Sequence, residues 1–323
     1  MKAIVADKPG APDVLTLRDL PTPVAKEGWV LVRVKAFGLN RAELFTRQGD
    51  SPGVTFPRIL GIECVGVVED APGTSLKKGQ KVACIMGGMG RQIDGGYAEY
   101  TLVPASSAFP VETDLDWATF GAVPEMFQTT LGSLTSGLEL RAGDRLLVRG
   151  GTSSIGLLAA RLAKNLGATV LATTRSPDRA AKLTAIGVDH VVVDDGTSLV
   201  AQVRAIAPGG VERVLELIGT TTLLDSLKCA RPGGVVCMTG ILGGKWTLEE
   251  FTPMGDIPNG VKLTSYSGGA GDLDGAQLQR FVGDVAAGRQ AIDVDRTFTL
   301  AEVPDAHRYM EANRATGKLV VLI

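Results

Sequence analysis

The residues best placed for chemistry are small ones, in the run Gly150-Gly151-Thr152-Ser153-Ser154-Ile155-Gly156. A turn with few bulky side chains lets main-chain N–H groups approach an anion, and a helix opening there turns its positive dipole end toward the same charge. Gly151 and Gly156 take the first and third glycine places of a dinucleotide-binding turn, Ser153 stands at the second, and Ser154 and Ile155 open the helix. The Ser153 hydroxyl either donates to a phosphate oxygen or crowds its approach. The chemistry implied is the binding of a pyrophosphate. The alternative is a tight turn that packs a helix on a sheet.

About 20 residues after such a turn, an NAD site carries a carboxylate for the ribose 2′-hydroxyl. Here the stretch reads Thr173-Thr174-Arg175-Ser176, with Arg179 one helical turn on and no acid before Asp178. A guanidinium suits a phosphate, through charge-assisted and bidentate hydrogen bonds. Thr174, Arg175 and Arg179 therefore favour NADP(H) over NAD(H), unless the two arginines are a solvated helix start.

The elements that hold these residues follow from apolar spacing. Leu146–Val148 reads as a buried strand, Ile155–Leu166 as a helix ended by Gly167, and Thr169–Thr173 as a second strand. Strand and helix signals then alternate to Val261–Ser265, giving six strands of a doubly wound parallel α/β sheet. Such sheets bind ligands at the carboxyl ends of their strands, which brings in Gly219, Gly240 and Ile241; ordinary strand-end turns are the other reading. Residues 1–120 read as mostly β, and residues 268–323 end in an apolar strand, Lys318–Ile323, that needs partners. The expected layout is a nucleotide domain, 121–267, inserted into a β-rich domain made of 1–120 and 268–323.

Composition narrows the function. The chain has 323 residues, 45% of them hydrophobic, and a net charge of −2 without a basic block, so neither nucleic acid nor an anionic membrane is an expected partner. No apolar run approaches the ~18 residues of a membrane span, and Asp7 and Lys8 interrupt any signal-peptide core, so a cytoplasmic location is expected. Four cysteines form no CxxC pair and the two histidines, His190 and His307, are far apart, so no metal site is expected.

The β-rich start, GGYAEY at 95–100, ATTRSPDR at 172–179 and the terminal NRATGKLVV at 313–321 resemble the medium-chain dehydrogenase/reductase superfamily. Within it they are most similar to the zinc-free quinone oxidoreductases related to zeta-crystallin. The resemblance implies a Rossmann domain inserted into a GroES-like catalytic domain. It departs from the zinc alcohol dehydrogenases of the superfamily, whose Gly-His-Glu is here Gly61-Ile62-Glu63 and whose metal-binding cysteine is replaced around Asn40-Arg41-Ala42-Glu43. It implies NADPH-dependent hydride transfer to a quinone or α,β-unsaturated carbonyl, with Asn40 and Arg41 as candidate oxyanion donors. Arg41 reads more readily as a surface or interdomain charge, and Asn40 equally as a turn residue. It also implies Thr129 beside the nicotinamide and Arg314 at the cofactor's phosphates, though Arg314 could be a helix C-terminal cation. A homodimer through the edge strand Val261–Ser265 is implied as well. Two other readings stand beside it: an enoyl-thioester reductase, for which Gln48–Ser51 lacks the expected tyrosine, and a non-catalytic NADPH-binding protein with a redox-sensing or structural role.

Overall fold

The computed structural model describes all residues, Met1–Ile323, and separates into two compact units: Met1–Gln128 with Gly269–Ile323, and Thr129–Gly268. The first boundary lies beyond residue 120, inside the helix Pro124–Gly132, which runs unbroken from one unit into the other. The helix Trp117–Gly121 ends just before it and Pro124 opens it, since a first-turn proline has no N–H to lose.

The unit 129–268 carries a six-stranded sheet. Its strands run in the order His190–Val193, Thr169–Thr174, Arg145–Arg149, Val211–Glu216, Ala230–Met238, Lys262–Ser265. Every pairing is parallel. Counted along the chain this is 3-2-1-4-5-6, the doubly wound order whose reversal point lies beside the first strand. Alternate strand residues serve opposite faces. Leu146, Val148, Val170 and Ala172 pack with Leu157, Ala160 and Ala163 of the helix Ser154–Asn165. Leu147, Leu171, Val192 and Val214 pack with Val203, Leu223 and Leu227 on the other side. Burial on both faces explains why these strands read as continuous apolar runs.

The other unit is built on a seven-stranded sheet and a three-stranded one. The terminal strand Lys318–Leu322 finds its partners here, antiparallel to Trp29–Gly38 and parallel to Val294–Thr299. That pairing is what brings the two chain ends into one unit. Two short strands, Arg58–Ile59 and Ala108–Pro110, carry no sequence signal, because two or three residues show no period and each includes or adjoins a proline. No helix is long and apolar enough to cross a membrane.

A buried polar chain crosses the core of this unit. Arg47, 1% exposed, donates from Nε to the Gly10 carbonyl at 2.9 Å and pairs with Glu311. Its Nη1 lies 3.3 Å from His307 Nδ1. A guanidinium has donors alone, so Nδ1 accepts and the His307 proton sits on Nε2, 3.1 Å from the Tyr97 hydroxyl. Tyr97 in turn stacks on Phe37 with centroids 4.6 Å apart. Burial first, and the Arg47 charge second, hold the His307 pKa down to about 3. The unfolded chain takes up this proton below about pH 6.5 and the folded protein does not, so the contribution to stability is lost as pH falls from there toward 3. At about 1.4 kcal/mol per pH unit, the loss by pH 5 is about 2 kcal/mol. Urea titrations should therefore show the wild type losing about 2 kcal/mol more between pH 7 and pH 5 than His307→Gln; equal losses would contradict a buried neutral imidazole.

Candidate functional site

The glycine turn is shaped by main-chain crowding. A β-carbon on Gly156 would stand 2.4 Å from the Gly150 carbonyl oxygen and 2.8 Å from Gly151 Cα; one on Gly151 would stand 2.9 Å from Ala172 Cβ. Gly150 has a φ of +90°, open to glycine at no cost. The second strand anchors the turn: Gly150 N–H donates to Thr173 Oγ1 at 3.0 Å and Gly151 N–H to the Thr173 carbonyl at 3.0 Å. Ser153 is the N-cap of the helix. Its hydroxyl accepts from Gly156 N at 3.1 Å and lies 2.8 Å from the Gly150 carbonyl, to which it donates. Its hydroxyl thus bonds the backbone of the turn itself on both sides. Ser154 and Ile155, at the first two helical positions, have amides with no acceptor in the chain. A diphosphate fits this cradle: two main-chain donors at a helix start, and no side chain where glycine is required.

Thr174 is buried at the end of the second strand, where its hydroxyl bonds the Ser176 carbonyl at 3.1 Å and closes the turn. Arg175 follows, exposed, with no ion pair or hydrogen bond of its own. Arg179 ends the adjoining 3-10 turn, half-buried. Gly219 and Gly240, at the ends of the fourth and fifth strands, face each other: a β-carbon on Gly219 would meet the Gly240 carbonyl at 3.0 Å, and one on Gly240 the Leu217 carbonyl at 2.4 Å. Ile241 follows, half-buried. The turns at these strand ends thus close on each other through backbone contacts. Thr129 is half-buried in the helix Pro124–Gly132, and its carbonyl accepts from Ser133 Oγ at 2.6 Å.

Beneath these loops lies a charge network that the sequence analysis did not single out. Arg149, the last residue before the turn, is 1% exposed. Its Nη2 lies 2.9 Å from Asp194 Oδ2, and its Nη1 donates to the Thr222 carbonyl at 2.8 Å and to Ser226 Oγ at 3.3 Å. Ser226 donates to Glu216, whose Oε1 takes the Ile218 and Gly219 N–H groups at 2.7 and 2.9 Å. Burial pushes the Glu216 pKa up, against the hydrogen bond from Ser226. One arginine so joins the ends of three strands and the helix Thr220–Cys229. The available signal was a charged residue at the carboxyl end of an apolar strand, which must find a partner to be buried.

In the other unit, Asn40 and Glu43 form a capping box at the start of the helix Arg41–Gln48. Asn40 N–H donates to Glu43 Oε2 at 2.6 Å, and Asn40 Nδ2 donates to Glu43 Oε1 at 3.2 Å and to Glu63 Oε1 at 2.9 Å. The Asn40 side-chain carbonyl accepts from Lys318 Nζ at 2.6 Å. Every polar atom of this carboxamide is engaged, so Asn40 has no proton left for a substrate oxyanion; it organises the site. Arg41 is likewise engaged, with Met310 O at 3.3 Å and with Asn313, fastening the helix to the C-terminal segment. Glu43 also accepts the Ile62 N–H at 3.0 Å. Burial pushes its pKa up to about 7 against these hydrogen bonds. Arg314 is exposed in the same unit, 4.8 Å from the Tyr309 ring centroid, and lines an open concavity of about 350 Å³ with Arg296 and Phe298.

The zinc triad's histidine position is held by Ile62, and Glu63 and Glu125 already face the Lys318 ammonium at 2.8 and 3.3 Å. No three His, Cys, Asp or Glu side chains are arranged to hold a metal ion. The donor set does not fit zinc.

A doubly wound nucleotide-binding sheet inserted into a β domain with a buried polar cluster is the architecture of a dehydrogenase or reductase. Residues 26–113 match the alcohol dehydrogenase GroES-like domain family and residues 186–321 the zinc-binding dehydrogenase family. The chain is 28% identical to a quinone oxidoreductase of Pseudomonas aeruginosa, over 97% of each chain. It is 27% identical to a 2-haloacrylate reductase of a Burkholderia species, over 99% of this chain and 98% of the other. The solved quinone oxidoreductase of Pseudomonas syringae pv. Tomato superposes with a TM-score of 0.90 at 25% identity, over 100% of this chain and 99% of that one. The chain belongs to the medium-chain dehydrogenase/reductase superfamily, in its quinone oxidoreductase branch.

Arg175→Ala should raise the dissociation constant of NADPH about tenfold or more and leave that of NADH nearly unchanged. Isothermal titration with both coenzymes checks this, and an equal loss for both would contradict a 2′-phosphate contact.

Proposed function

We propose that this protein is an NADPH-dependent, zinc-independent reductase of quinones or related α,β-unsaturated carbonyls, working as a cytoplasmic homodimer. The observation that carries the reading is Arg175: an exposed guanidinium with no internal partner, one residue past the strand end where NAD sites keep a carboxylate. Ser154 and Ile155 would hold the diphosphate through their amides, with Gly151 and Gly156 leaving room for it, and Arg175 and Arg179 would hold the 2′-phosphate. When bound, the reduced nicotinamide supplies a hydride to the electron-poor ring or alkene.

The polar cluster of the other unit supports the acceptor class. Hydride removal from an alcohol is assisted by a Lewis acid that takes the oxygen's developing charge. The cluster offers carboxylates already paired to an ammonium, which suits that task poorly. A quinone accepts hydride without prior deprotonation, and the following proton comes from water. The likeness to a 2-haloacrylate reductase supports activated alkenes as a neighbouring acceptor class. For the dimer, the strand Lys262–Ser265 pairs with the sheet on one side alone and leaves its other edge for pairing with a second copy.

Purified protein should oxidise NADPH on addition of 1,4-benzoquinone, at a rate that a zinc chelator leaves unchanged. Activity lost to the chelator and restored by zinc would contradict the proposal. Turnover of crotonyl-CoA in place of benzoquinone would shift the reading to an enoyl-thioester reductase. Tight NADPH binding without turnover of any quinone or enal would shift it to a non-catalytic NADPH-binding protein.

A further inference from the structure

The terminal strand carries one charged residue into the interior. Lys318 is 1% exposed. An ammonium stripped of water is tolerated where each N–H meets an acceptor and an opposite charge stands close. Lys318 meets three: Glu63 Oε1 at 2.8 Å, Asn40 Oδ1 at 2.6 Å and Glu125 Oε2 at 3.3 Å. Each belongs to a different element. Asn40 caps the helix Arg41–Gln48, Glu63 begins the strand Glu63–Asp70, and Glu125 lies in the first turn of the helix Pro124–Gly132. The second Glu63 oxygen takes the Glu125 N–H at 2.8 Å, so the same pair also holds that helix's N-terminus. Neighbouring backbone leaves space for the arrangement. A β-carbon on Gly38 would stand 2.4 Å from Lys318 Cε and 2.4 Å from Glu63 Oε1, and Gly38 has no positive φ that would otherwise call for glycine.

We propose that Lys318 is a positioning residue for the reductase: its ammonium is the built-in cation of the polar site, on which Asn40, Glu63 and Glu125 converge. It does not touch substrate, because all three of its N–H groups are engaged. It acts by fixing the loop that begins at Asn40 and the start of the helix Pro124–Gly132. A single side chain thereby replaces the organising charge that a metal ion gives where zinc relatives carry Gly-His-Glu. The role in turnover rests on the quinone reductase reading above; the role as the cation of the site does not.

Two variants and two readouts test it. Lys318→Met removes the charge, and Gly38→Ala leaves the lysine in the chain but displaces it from Glu63, so the second serves should the first fail to fold. With benzoquinone, kcat should fall about tenfold to a hundredfold in both, as misplacement of catalytic elements does. The NADPH dissociation constant, read by coenzyme fluorescence, should stay within about twofold, since neither variant alters Ser154, Ile155 or Arg175, the groups assigned to the diphosphate and the 2′-phosphate. Carbon-13 NMR of glutamate-labelled protein gives the readout that needs no turnover. Glu43 feels the charges of Lys318 and Glu63 and the hydrogen bonds of Asn40 and Ile62, and loss of the nearby cation should raise its titration midpoint from about 7. An unchanged kcat overturns the proposal, as does a fall in kcat matched by an equal loss of NADPH affinity, or an unshifted Glu43 titration in a folded Lys318→Met. A wild type that reduces no quinone would instead refute the reductase reading, while the carboxyl titration still decides whether Lys318 is the cation of the site.

Discussion

The constraint on which the nucleotide unit depends is the contact of one α-carbon with a neighbouring peptide. Gly156 lies so close to Gly150 and Gly151 that no side chain can stand between them. That closeness lets the helix Ser154–Asn165 begin directly at the end of the first strand, with the Ser153 hydroxyl locked into the bend. The consequence is electrostatic. Amides at the helix start are left without internal acceptors at the carboxyl end of a parallel sheet, where the helix dipole adds to their pull on an anion. Arg149 works beneath them, tying the strand that delivers the turn to Asp194 and to the helix that carries Thr222 and Ser226. The cradle is therefore supported from below by a buried ion pair and closed from above by backbone crowding.

The second unit solves a different problem with the same economy. Carboxylates gathered at one place repel each other and resist burial, so they need a cation held at short range. Lys318 provides it from the last strand, and the strand reaches that position because it pairs with Trp29–Gly38. The chain ends are thus tied together by sheet hydrogen bonds and by charge at the same point. Asn40 sits between the two kinds of charge, its carbonyl turned to the ammonium and its amide to the carboxylates.

Much of this was legible in the sequence. The parallel sheet followed from alternating strand and helix signals, and the insertion of one domain into another followed from an apolar final strand in need of partners. The exposed arginine after the second strand, proposed above as the 2′-phosphate contact, could be seen in Thr174-Arg175. What escaped was what side chains do once buried. Asn40 was a candidate oxyanion donor through the family resemblance, with a turn residue as the other reading; that both of its protons point at Glu43 and Glu63 depends on residues distant in the chain. Ser153 could be placed in the turn, but its role as N-cap could not, because its partners Gly150 O and Gly156 N–H are set by the bend itself. Lys318 and Arg149 look on paper like charges flanking apolar runs, and solvated strand ends are the usual fate of such residues. Their burial is set by tertiary partners that no local pattern encodes. The boundary inside the helix Pro124–Gly132 escaped for a related reason: a helix can be continuous in hydrogen bonding and still be divided between two cores.

The central claim is that main-chain amides at the glycine turn receive an anionic diphosphate. Hydrogen–deuterium exchange with and without NADPH tests it most directly. Slowed exchange over Gly151–Leu157, with little change in the strands of the other unit, is the predicted result. Coenzyme binding that leaves exchange at these amides unaltered would contradict it.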